Sequence, residues 1–206
     1  MTTDFANFPI SVSEVDPVSD MAGFSTALET TRWDPSRRTS GQLKLINGNL
    51  INSSPNVIQL RSTRRKTTGK WYVEFFGVAN LLGVATGQYD LRFVQLQSSM
   101  LTSPYSWSFY AAGQAINNGA DLGLSIPTFS GTDILGLELD MDARTLQLYI
   151  NGVAGGSPIT ELPSPLYILG NMSNAPAANY VNFGRKPFTY PLRADFLAYD
   201  PPPKGI

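Results

Sequence analysis

Cysteine and histidine are both missing from this 206-residue chain. The first absence removes disulfides, thiol nucleophiles and thiolate metal sites. The second removes the usual proton carrier near neutral pH and the commonest metal ligand. Serine-histidine and cysteine-histidine catalysis are therefore excluded within one chain, and carboxylate, lysine, tyrosine or serine-lysine chemistry is what remains to an enzyme. No cofactor is expected. Charge is also scarce: Asp, Glu, Lys and Arg make up 15% of residues, against about 25% in ordinary domains. Fifteen basic and sixteen acidic residues leave a formal net charge of −1, so no global field draws nucleic acid or a charged membrane. No apolar run reaches the roughly 18–20 residues of a membrane span. The first twenty residues lack a basic start, a continuous apolar core and a small-residue cleavage site. The expectation is a chain made in the cytoplasm without a secretion signal.

What the chain does contain is alternation. In Gly131–Val153, Leu135, Leu137 and Leu139 fall on one face of one strand, and Leu146, Leu148 and Ile150 on one face of the next. A period of two with one apolar face marks a half-buried sheet. Asn151-Gly152 has the residue types that tolerate the positive dihedrals of a tight hairpin turn. Short strands are expected at Gln42–Leu45, Asn49–Asn52, Val57–Ser62, Lys70–Val78, Leu82–Thr86, Ser106–Ala111, Ile116–Asn117, Ile134–Leu139, Leu146–Ile150, Leu166–Gly170 and Tyr180–Phe183. Lys70–Val78 is apolar on both faces, which predicts a central strand covered on each side. Gly, Pro or Asn at the joins signals a sandwich or jelly roll. The expected fold is all-β, a two-layer antiparallel β-sandwich over residues 32–190.

The two ends read differently. Residues 1–31 carry Phe5, Phe8, Ile10 and Val12, yet Pro9 and Pro17 prevent a long helix. This is expected to be an extended apolar docking arm that attaches to its own sandwich or to a neighbour. Residues 191–206 end in Asp200-Pro-Pro-Pro and read as a proline-rich tail running over the surface or into a partner.

The wording of the central region is similar to SPRY domains. Gly69-Lys70-Trp71-Tyr72-Val73-Glu74 resembles their opening strand signature, and Gly83-Val84-Ala85-Thr86 the strand that follows. Ser106-Trp107-Ser108-Phe109-Tyr110 resembles their aromatic strand. The run Asp133-Ile134-Leu135-Gly136-Leu137, then Leu139-Asp140 and Leu146 to Gly152, resembles their central hairpin. Asn182-Phe183-Gly184 with Pro187-Phe188 resembles the closing motif. Trp33-Asp34-Pro35 and Leu45 to Leu50 look like the lead-in of bacteriophage versions. The resemblance implies a concanavalin-like sandwich and a non-enzymatic binding or structural module. It points to a virion component: a capsid decoration, tail or fibre-associated protein. Its partners would be other virion proteins or further copies of itself through the arm, and a host-surface protein or glycan at the rim. Nucleic acid is not an expected partner.

Three clusters are candidates for chemistry. Glu138, Asp140 and Asp142 alternate on a strand, and glycoside hydrolases set two carboxylates about 5–9.5 Å apart. The competing reading makes Glu138 a solvent-facing strand residue and lets both aspartates bond their own turn. Arg61, Arg64, Arg65, Lys66 and Lys70 form a basic cluster, suited to phosphate or to an acidic subunit, or simply solvated. A rim set of Tyr89, Asp90, Arg92, Tyr105, Trp107, Asn117 and Asn118 offers aromatic area and adaptable amides for protein or carbohydrate binding. Against it, large aromatics such as Trp107 usually bury. A peptide-binding adaptor and a carbohydrate-active enzyme are the alternatives to the virion reading.

Overall fold

The computed structural model describes residues 31–38, 43–46, 49–52, 58–89, 99–172 and 180–200. The arm residues Phe5, Phe8, Ile10 and Val12, and residues 201–206 of the tail, lie outside them.

Two sheets carry the described fold. The first contains β1 (Trp33–Arg38), β4 (Ile58–Lys66), β6 (Val78–Ala85), β7 (Ser106–Tyr110), β8 (Gln114–Asn117), β9 (Ala120–Asp121) and β13 (Leu166–Met172), ordered β1-β4-β13-β6-β7-β8-β9. The second contains β5 (Lys70–Phe76), β10 (Ile134–Asp140), β11 (Thr145–Ile150), β12 (Val153–Ala154) and β14 (Tyr180–Asn182), ordered β12-β11-β10-β5-β14. A short β15 (Leu197–Ala198) pairs in parallel with β5. The hairpin β2 (Leu43–Ile46) and β3 (Asn49–Asn52) pairs Ile46 with Asn49, as Asn47-Gly48 predicts. The sandwich is otherwise antiparallel, and the expected fold class holds.

The alternating leucines account for this layering. Leu135, Leu137, Leu139, Leu146 and Leu148 are all fully buried, facing Leu60, Leu82, Val84, Phe109 and Ile168 of the first sheet in one core. Full burial is worth about 1.5–3 kcal/mol per leucine, so this stripe fixes which face points inward. Register follows: Leu139 pairs with Leu146 and Leu135 with Ile150. The turn onward from β11 has φ of 50° at Asn151 and 79° at Gly152. Those are the two positive dihedrals of a two-residue hairpin. Asn151 also accepts the Ile134 amide through Oδ1 at 2.9 Å and donates to Asp133 at 2.8 Å, stitching the turn to the start of β10.

Some boundaries differ from expectation. The predicted strand Lys70–Val78 divides at Gly77, whose φ is +74°; β5 stays in the second sheet and β6 begins the return through the first. Leu81, Ala85 and Leu169 face away from the sandwich core. Tyr89 and Met100, before and within the one-turn helix Ser99–Thr102, cover them as a second apolar cluster. Of residues 191–200, expected in the tail, Leu197–Ala198 pair with β5 and Ala198, Tyr199 and Asp200 are buried. Before them, the segment from Phe188 to Arg193 runs over the outer face of the second sheet. There the Thr189 and Tyr190 amides donate to Glu74, and Phe188 sits edge-on to Tyr72 at 4.8 Å.

Candidate functional site

The carboxylate run of β10 is consumed by structure. Asp140 Oδ1 accepts the amides of Asp142 and Ala143 at 3.0 and 2.8 Å, closing its own turn, and its Oδ2 lies 3.5 Å from Lys70. Asp142 accepts the Gly69 amide at 2.8 Å and so ties this turn to the start of β5. Glu138 was expected to face solvent in the competing reading. It is instead 6% exposed beneath the Phe188–Arg193 segment, 3.6 Å from Arg193, whose guanidinium also covers the Tyr149 ring at 4.5 Å. Burial raises the Glu138 pKa, while a hydrogen bond from Tyr149 and the Arg193 charge pull it back.

The basic cluster is dispersed among separate tasks. Arg61 is buried, donating to the Tyr89 carbonyl at 3.2 Å and stacking over Tyr167 at 4.3 Å. Lys66 places its ammonium 3.4 Å from the Trp71 ring centre and 4.7 Å from that of Tyr199. Burial pulls its pKa down to about 8; Asp200 opposes this and Arg64 adds to it. Below pH 8 the ammonium is protonated in both folded and unfolded chains, and its desolvation cost is fully present. Between pH 8 and the unfolded value the unfolded chain binds more protons, so stability should rise with pH. Above pH 10 the trend should reverse, because burial also raises the pKa of Tyr72, Tyr149 and Tyr199, and the unfolded chain then loses protons first. Urea midpoints measured from pH 7 to 11 should therefore peak near pH 10. The rise between pH 8 and 10 should vanish in Lys66→Met. A flat wild-type profile would rule out the buried ammonium.

The rim set divides. Tyr89, a candidate of the rim set, is 2% exposed; its hydroxyl donates to Gln59 at 2.7 Å and its ring packs with Met100 and Leu81. It has no ring face to offer a ligand, because the chain from Ser99 folds back over it. Asp90 and Arg92 lie outside the described residues. The other four cluster. Trp107 and Asn117 are register partners on β7 and β8. Tyr105, just before β7, is 41% exposed. Asn118, exposed at the β8–β9 turn with φ of 50°, donates its amide to the Ser103 carbonyl at 3.1 Å. Asn117 is less available than expected, since its side-chain amide donates to the Ser106 carbonyl at 2.8 Å.

Trp107 marks the end of the core rather than its centre. Its ring is half-buried against the main cluster and lines a groove of about 300 Å³. Leu122 and Leu124, trailing from β9, line it with Trp107, and Pro158, Ile159, Thr160 and Glu161 complete the walls. Ile159 is held by a reciprocal pair of 2.9 Å backbone hydrogen bonds with Leu146, which fixes this segment alongside β11. The groove thus lies between the β9 edge of one sheet and the β11–β12 edge of the other. Leu122 and Leu124 alternate with Ile126, but the run is too short between Gly119 and Pro127 to stand out as a strand, and Pro158–Glu161 carry no period.

No protein-family model and no curated protein sequence matches the chain. Among solved structures it is similar to the SPRY domain of human HERC1, with 20% identity, a TM-score of 0.56, and coverage of 72% of this chain and 94% of that one. It is also similar to the PSpry domain of TRIM65, with 16% identity, a TM-score of 0.51, and coverage of 82% and 95%. Stonustoxin matches at 23% identity with a TM-score of 0.50, over 69% of this chain and 26% of that one. Identities this low speak to architecture alone, and that architecture is the two-sheet antiparallel sandwich of SPRY domains.

Proposed function

We propose that the chain is a non-enzymatic protein-binding module of a bacteriophage particle, attached through residues 1–31 and working through loops of its sandwich. The binding reading is carried by one observation. Every carboxylate of the Glu138–Asp142 run holds the fold together, on a sandwich shared with SPRY domains. A glycosidase needs a carboxyl pair open to a groove with room for a sugar and water. Glu138 lies instead beneath Arg193 and Tyr149. Support for the particle comes from the phage-like wording of Trp33-Asp34-Pro35 and from an apolar leader with Phe5, Phe8 and Ile10. Low net charge suits a protein that works in an assembly.

The test is incorporation. Particles from cells producing the full chain should carry it through density-gradient sedimentation. A chain lacking residues 1–20 should fold, by its β-type circular dichroism, but stay at the top of the gradient. Equal incorporation of both would remove the arm from the mechanism, and particles free of the full chain would remove the virion role.

A further inference from the structure

The groove at Trp107 has a composition that selects its occupant. Leu122, Leu124 and Pro158 present aliphatic surface above the buried Ile159, and Leu122 is 40% exposed, one of few large apolar side chains among the described residues so open to water. The volume of about 300 Å³ is at the low end for a ligand pocket and suits one aromatic or two aliphatic side chains rather than an oligosaccharide. The walls are mixed, with Thr160 and Glu161 supplying polar groups beside the aliphatic ones, which suits a segment that is apolar at one residue and charged at the next.

Among the residues that line the groove, the one charge is that of Glu161. Glu161 is exposed at the mouth, and its carboxylate has no bonded partner among the described residues. Asp121 adjoins Leu122, held by Gln114 Nε2 at 3.0 Å and by the Gly123 amide at 3.0 Å. No cationic residue lines the groove. Glu161 also has φ of 58°, a left-handed conformation that disfavours a side chain of this size and accumulates at ligand clamps and switch regions. The backbone there is held from both sides, with Ile159 bonded to Leu146 and the Leu162 amide donating to the Arg144 carbonyl at 3.1 Å. The backbone that carries this side chain is therefore fixed at the groove.

The geometry points to this groove as the docking site for a linear segment of a partner protein that carries an aliphatic or aromatic side chain beside a lysine or arginine. This rests on the protein-binding reading above and adds the place and the chemistry. The apolar side chain enters between Leu122 and Pro158, above the buried Ile159, and the cation meets Glu161 at the mouth.

A library of random twelve-residue linear peptides, selected by mRNA display against the full chain, tests the idea. Enriched peptides should pair an apolar residue with an adjacent Lys or Arg. The strongest of them, synthesised and titrated by fluorescence anisotropy, should bind Leu122→Asp about tenfold more weakly, as expected on placing a charge at an apolar anchor. Glu161→Gln should weaken binding about threefold and reduce its salt dependence, since an exposed pair is screened by ions. Both positions are exposed, so the variants should melt within a few degrees of the parent. Enriched peptides without a basic residue, binding indifferent to Leu122→Asp, or no enrichment would each overturn the groove proposal. Glycan-array binding abolished by Leu122→Asp would overturn it in favour of sugar. The protein-binding reading is judged separately, by chemical cross-linking of the chain to a protein neighbour in its native assembly. Peptides that bind elsewhere on the sandwich would leave that reading standing.

Discussion

Glu74→Ala should lower the unfolding free energy by about 2–4 kcal/mol and release the segment from Arg185 to Phe196. Glu74 is 2% exposed on β5. Its Oε2 accepts the Thr189 amide at 2.8 Å, and its Oε1 accepts the Tyr190 amide at 2.9 Å and the Tyr72 hydroxyl at 3.2 Å. Truncation orphans two backbone donors and a buried hydroxyl, at about 1–3 kcal/mol each where water cannot reach them. Part of that loss is offset, because the variant no longer desolvates a carboxylate. The rest of the strap cannot compensate. Arg193 meets Glu138 only from an exposed position, and exposed pairs contribute about 0–1 kcal/mol. Urea titration gives the energy, and limited trypsinolysis gives the location. Cleavage after Arg193 should accelerate many-fold in Glu74→Ala while the core stays intact. Equal cleavage rates would show that the strap is held by something other than this carboxylate.

The same strap shows what was legible in the sequence and what was not. Leucines at every second position of β10 and β11 announce their sheet without help, because period and apolarity coincide over six positions. Asn151-Gly152 announces its turn for an equally local reason. The run Phe188–Arg193 spans the expected boundary between sandwich and tail at residue 190, and with no period it says nothing of what it packs on. Its place is set by a glutamate 115 residues earlier in the chain. Tyr89 was misread on similar grounds: the residues that bury it include Met100, eleven residues further along the chain. At the groove the strand residue Trp107 was visible. Leu122, Leu124 and the Pro158–Glu161 wall were not, since they come together through two chain ends that trail off opposite sheet edges.

Gly83→Ala should cost about 3 kcal/mol, the upper part of the range for overpacking a core, and should disturb the groove as well as the fold. A Cβ on Gly83 would lie 2.0 Å from the Trp107 carbonyl oxygen and 2.8 Å from the Ser108 Cα. Both are backbone atoms, so no rotamer change can relieve the contact. β6 is pinned between β13 and β7, with Gly83 opposite Leu169 on one side and Ser108 on the other. Relief must come from pushing β7 outward, which carries Trp107 away from Leu122 and Leu124. Gly87→Ala is the matched control in the same short motif, because its nearest neighbour is the Tyr167 ring at 3.9 Å, an ordinary contact. Thermal melts should separate the two variants by well over 5 °C, since about 1 kcal/mol shifts the midpoint by about 2–4 °C at this chain length. Trp107 emission should move toward that of water-exposed indole in Gly83→Ala only. A Gly83→Ala protein with parental melting and emission would mean that β6 and β7 do not approach this closely. The edge on which the groove depends would then have to be redrawn.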